Sequence, residues 1–164
     1  MGENLLWNYS LEVYRKPNVE AELLQLQDRF GADVNVLLSC LWVASQGLEL
    51  DDNALSELLK ISASCQAQCI MPLRSLRRGL KGLAGAEGIR EEVKSLELKA
   101  EQWQQDLFYQ QIKKLSLTTG DGSTTLFALQ NLQCYTNHLQ GVEWDDLSGI
   151  VSDLVSFAFV ENNG

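Results

Sequence analysis

Proline is nearly absent from this chain: two residues in 164, at positions 17 and 72. Helices can therefore run without interruption over most of its length, since proline is the residue that most strongly breaks them. Histidine is scarcer still. Any Ser–His or Cys–His catalysis would rest on His138 alone, and no nucleophile motif accompanies it. Positive charge is also in short supply, with 13 Lys and Arg against 22 Asp and Glu, for a net charge of -9. That balance argues against general DNA binding, because neutralising phosphates takes a concentration of basic residues. The longest apolar run, VNVLLSCLWVA at 34–44, falls short of the roughly 20 residues a membrane helix needs. MGENLLWNYSLEVY at the N-terminus has no basic region before its apolar residues and no small-residue cleavage site. No membrane association and a cytoplasmic location are expected. The phosphate loop G-x-x-x-x-G-K-[ST], the dinucleotide fingerprint G-x-G-x-x-G and the zinc helix H-E-x-x-H do not occur, which closes the strongest sequence routes to an enzyme and implies no cofactor.

Apolar residues recur every three or four positions, and no stretch alternates strictly as a half-buried strand does. The expectation is an all-α, single-domain bundle of about seven or eight helices. Asn4 caps a first helix to Tyr14, and a second carries Leu23, Leu26 and Phe30 until Gly31 stops it. Asp33 caps a third, whose Val34, Leu37, Leu38, Leu41 and Trp42 are too apolar for a surface. A short fourth helix follows Asp51 or Asp52, and a fifth spans 62–81 with a kink or break at Pro72. A long helix from Glu87 to about 117 places Ile89, Val93, Leu96, Ala100, Trp103 and Leu107 in steps of four and three, the spacing of a coiled-coil seam. That seam serves either the bundle interior or a homodimer. Residues 118–123 read as a linker, followed by helices near 124–138 and 145–159. The division expected is a bundle over 1–117 and an acidic C-terminal pair over 118–164, packed on the same domain.

Three constellations carry possible chemistry. Arg74, Arg77, Arg78 and Lys81 share one helix face, and no acid lies between Met71 and Lys81 to neutralise them locally. They are a candidate partner-binding stripe for an acidic protein, RNA or a ribosomal surface, unless acids elsewhere in the chain cover them. Gln27, Asp28, Asp33 and Asn35 crowd a tight turn before the most apolar helix; they serve as a structural network or as one side of a polar pocket completed by the arginines. Cys65 and Cys69, with Cys134 and His138, offer i,i+4 pairs, but neither has the close C-x2-C spacing of zinc modules. Small thiols filling core space are the expectation, with no metal and no disulfide.

LQDRFGADVNVLL, followed some thirty residues later by PLRSLRRGLK and then a long Glu-rich helix, resembles an uncharacterised proteobacterial family of small helical proteins, a domain of unknown function. The likeness runs from about Leu6 to Leu117. It implies a small helical bacterial protein without an assigned activity, and its pattern does not include Cys65, Cys69 or His138. The reading favoured from sequence is a non-enzymatic helical adaptor or regulatory protein that docks an anionic partner on the basic stripe. The alternative is a small enzyme or anionic-ligand-binding protein with a pocket between Asp28, Asp33 and Asn35 on one side and Arg74, Arg77 and Arg78 on the other.

Overall fold

In the computed structural model, which describes residues 2–120 and 122–160, the chain is an all-α domain. Its α-helices are α1 (Leu5–Tyr14), α2 (Val19–Phe30), α3 (Val34–Ser45), α4 (Asp52–Cys65), α5 (Met71–Gly79), α6 (Glu87–Lys114), α7 (Thr124–Thr136) and α8 (Trp144–Ala158). Side-chain caps set several starts. The oxygens of Asn4, Asp33, Asp51 and Ser123 each accept a backbone N–H of the first turn, satisfying donors the helix itself leaves free. Gly31 ends α2 in the left-handed conformation, φ 73°, and its N–H bonds back to Gln27.

Of the kink or break expected at Pro72, the break does not occur. Instead of a short fourth helix and a separate fifth from 62 to 81, α4 runs to Cys65 and passes through a π-helical turn, Gln66–Ile70, directly into α5. The proline ring denies the carbonyl four residues back its partner. The wider π turn just before it absorbs that mismatch, so the helical run continues to Gly79. Counted as one run, 52–79 brings the helices to seven. The long helix stops at Lys114, short of 117, where Leu115 turns extended. Residues expected to be plain linker are partly ordered: Thr118–Thr119 (β2) pairs antiparallel with Leu48–Glu49 (β1), just after α3.

At the centre lies α3, with every residue from Asn35 to Ala44 buried. Against it pack α7, α1, α2 and α6, while α8 lies on α2 and α7. One apolar cluster joins residues of α1, α2, α3, α4, α6, α7 and α8. Asn131 of α7 fastens the turn after α3: its side-chain oxygen accepts Leu50 N–H at 2.8 Å, and its amide donates to the carbonyls of Cys40 and Leu48. The seam of α6 divides. Val93 and Ala100 are buried, whereas Ile89, Leu96, Trp103 and Leu107 are exposed, so only one edge of it meets the bundle. No helix among the described residues is long and apolar enough to cross a membrane.

Replacing Asn131 with Leu keeps the volume but strands the buried Leu50 N–H. We expect a loss of about 2 kcal/mol of unfolding free energy in urea titration, with faster amide exchange confined first to residues 48–50.

Candidate functional site

The face of α5 toward α6 is where the basic stripe meets its partners. Arg74 Nε donates to Glu97 Oε1 at 2.9 Å and Arg74 Nη2 to Glu101 Oε1 at 3.1 Å, while Arg77 also bonds both oxygens of Glu97. Half of the stripe is thus neutralised inside the protein, by α6 rather than by the acidic C-terminal helices. Arg78 and Lys81 are exposed and have no carboxylate within 4 Å among the described residues. The sequence reading missed Glu97 and Glu101. Their signal was polar side chains at 97, 101, 104 and 105 on the side of α6 that also carries the buried Val93, Ala100 and Phe108.

Asp33 gathers the opposite wall. Its Oδ1 accepts the Asn35 N–H, and its Oδ2 accepts Ser62 Oγ at 2.6 Å, Gln104 Nε2 at 2.9 Å and Gln66 Nε2 at 3.1 Å. The Asn35 amide donates to Gln104 Oε1 at 2.7 Å and its oxygen accepts Gln105 Nε2, while Ser10 of α1 donates to Gln105 Oε1. The Tyr135 hydroxyl of α7 accepts the Asp33 N–H at 2.8 Å. Gln27 and Asp28 stand apart from this network, bonded to each other on the rim.

Between the two walls is a cavity of about 450 Å3 that brings together Gln27, Asp28, Asp33, Asn35, Arg74, Arg77 and Arg78; Lys81 lies outside it. Trp7, Leu11, Leu24, Val34, Leu38 and Leu98 form its apolar side, and Arg15 joins its charged rim. A second hollow of about 600 Å3 shares Gln27, Asp28, Asp33, Gln66, Arg74 and Arg78 with the first and adds Ser62, Ser75 and Tyr135. The two form adjoining lobes on either side of those shared residues.

The carboxylates of this site titrate apart. Burial raises Glu97, but the hydrogen bonds and charges of Arg77 and Arg74 more than offset it and hold the group below the ordinary 4.5. At Glu101 burial dominates, opposed by Arg74 and reinforced by the Glu97 charge, and its carboxyl is raised. Burial likewise pushes the Tyr14 phenol at the cavity wall up to about 12, with the Glu20 charge adding to it.

The cysteines do not join this site. Cys65 is buried beside Ile70 and Ala100, with Cys69 packed on that cluster, whereas Cys134 bonds Asp52 on the far side of the chain's order and His138 Nε2 lies 3.6 Å from the same carboxylate. Among the described residues no three His, Cys, Asp or Glu side chains gather as metal ligands, and all four cysteines are free thiols.

Glu97→Gln leaves Arg77 without a carboxylate and Arg74 with Glu101 alone, at a cost of about 2 kcal/mol near neutral pH. A depressed folded pKa contributes stability above the ordinary 4.5 that is lost as the pH falls through the folded value. Unfolding of wild type and variant should therefore differ at neutral pH and converge in acid. For Glu101 the sign reverses: its raised carboxyl costs stability as the pH climbs past 4.5.

Comparison with known proteins places the chain by family alone. The family model described as a protein of unknown function (DUF2390) matches residues 5–108. No curated protein and no solved structure matches. Every residue lining the 450 Å3 cavity lies inside the matched span, whereas α7 and α8 lie beyond it. The chain belongs to the DUF2390 family.

Proposed function

We propose that this protein binds a small amphipathic organic anion in the cavity enclosed by α1, α2, α3, α5 and α6. One observation carries the reading: Arg15 and Arg78 line that cavity together with its apolar residues, with no carboxylate within 4 Å among the described residues. An apolar body against Trp7, Leu11 and Leu38 and a carboxylate or phosphate ester at the guanidiniums would match both halves. The volume lies in the range of small-molecule sites. Binding is favoured over a reaction because Asp33, Asn35 and Gln105 on the floor spend their hydrogen bonds on one another.

Exposed Arg78 on α5, a helix with no buried residue, and exposed Lys81 in the turn just after it support a second reading, an adaptor that docks an acidic protein or RNA. It has lost two of its four cations to Glu97 and Glu101. Arg15 separates the readings, since it lines the cavity and does not belong to the stripe.

A thermal-shift screen of carboxylates and phosphate monoesters tests the first reading. A ligand at about a hundred times its Kd adds about 2.7 kcal/mol, or roughly 5–10 °C at this chain length. Arg15→Ala with Arg78→Ala should remove the shift while leaving the melting temperature of the free protein within about 1 °C. No stabilising anion, or a shift that survives both substitutions, overturns it. Capture of RNA or an acidic protein that depends on Arg78 and Lys81 but not on Arg15 would establish the adaptor instead.

A further inference from the structure

We infer that the exposed face of α6 is a self-association surface, occupied by α6 of a second copy of this chain running antiparallel about a two-fold axis near Leu96. Four large apolar side chains lie along one side of this helix and face outward: Ile89 (57% exposed), Leu96 (50%), Trp103 (45%) and Leu107 (36%). The first three recur every seventh residue, so they stack as one stripe about 21 Å long at 1.5 Å per residue. Scattered exposed leucines need no explanation, but a stripe held in register on one helix marks an interaction surface.

The charges beside the stripe select the occupant. The other edge of the seam, Val93 and Ala100, is already buried in the chain's own bundle, as are Glu97 and Gln104 next to it. The free flank carries Glu92 and Lys99, also seven apart and both exposed, while Asp106 one heptad further on already accepts the Asn4 amide. In an antiparallel pair this flank faces its own copy. Centred at Leu96, the arrangement sets each Ile89 against the other copy's Trp103 and each Glu92 beside the other copy's Lys99. The two-fold axis makes that pair twice. A parallel pair would turn the free flank toward the buried one, where Glu92 would approach Glu97 and no cation could answer it. A second copy read antiparallel therefore satisfies the stripe and its flank together. The contact covers one helix face, at the small end of stable interfaces, so association should depend on concentration.

Sedimentation velocity over a concentration series tests this. Wild type should move from monomer to dimer as concentration rises. Leu96→Glu and Lys99→Glu, both at exposed positions, should stay monomeric at every concentration with unchanged helical circular dichroism, and Glu92→Lys combined with Lys99→Glu should recover the dimer. That recovery distinguishes a charge-matched two-fold from loss of fold. Wild type that remains monomeric throughout, a dimer that persists in Leu96→Glu, or a double variant no better than Lys99→Glu alone would each overturn the inference.

Discussion

The Asp33 carboxylate accepts four hydrogen bonds from neutral donors on three separate elements: the first turn of α3, Ser62 and Gln66 at the end of α4 and in the π turn, and Gln104 on α6. A carboxylate partly withdrawn from water without a bonded cation costs free energy unless donors replace the solvent it loses. Here they do, and the replacement fixes where those elements stand. It draws the π turn toward the N-terminus of the central helix, which sets the position of α5 and hence of Arg74 and Arg77. Asn35 extends the same network to Gln105 and Ser10, so α1 is registered against α6 by the same polar core. The cavity is what remains between elements held apart by this polar lattice rather than drawn together by leucine packing.

Much of this was legible in residues. Capping chemistry announces the starts of α1 and α3, and the apolar surplus of 34–44 announces which helix is central. Gln27, Asp28, Asp33 and Asn35 were legible as polar groups in need of partners, but not which partners. Asp33 and Asn35 are bonded in the interior, while Gln27 and Asp28 stay on the rim, and nothing local to the turn separates the two pairs. The donors that decide it, Gln66, Gln104 and Gln105, are more than thirty residues away. Pro72 shows a similar limit. Its effect is local, but whether a helix breaks or widens depends on what holds the two sides in line, and that is the contact of α5 with α6 and of Gln66 with Asp33.

The basic stripe illustrates how charge read along one helix differs from charge read in space. Four cations with no acid between Met71 and Lys81 look unpartnered, yet two of them meet Glu97 and Glu101 across an interhelical space. The pairing is uneven. Glu97 carries bonds from both arginines and stays ionised below its ordinary range, whereas Glu101 keeps a single arginine contact and a raised carboxyl. Two carboxylates one helical turn apart are thereby shifted in opposite directions by their surroundings alone.

A further division runs between the part of the chain matched by the family model and the part beyond it. The cavity is built from α1, α2, α3, the π turn, α5 and α6, all of whose contributing residues fall within 5–108. α7 touches it indirectly. Tyr135 accepts the Asp33 N–H and Asn131 holds the strand-like turn after α3, so α7 acts on both ends of the central helix. The acids at and in α8, Glu143, Asp145, Asp146 and Asp153, then have a physical reading that needs no contact with the basic stripe: they contribute to the net charge of -9 and repel extended polyanions at long range. A small anion that can enter the cavity pays less of that penalty than a polymer does, because its charge is met at close quarters by guanidiniums and the acids are screened over about 10 Å. Charge distribution and cavity size therefore favour the same class of ligand.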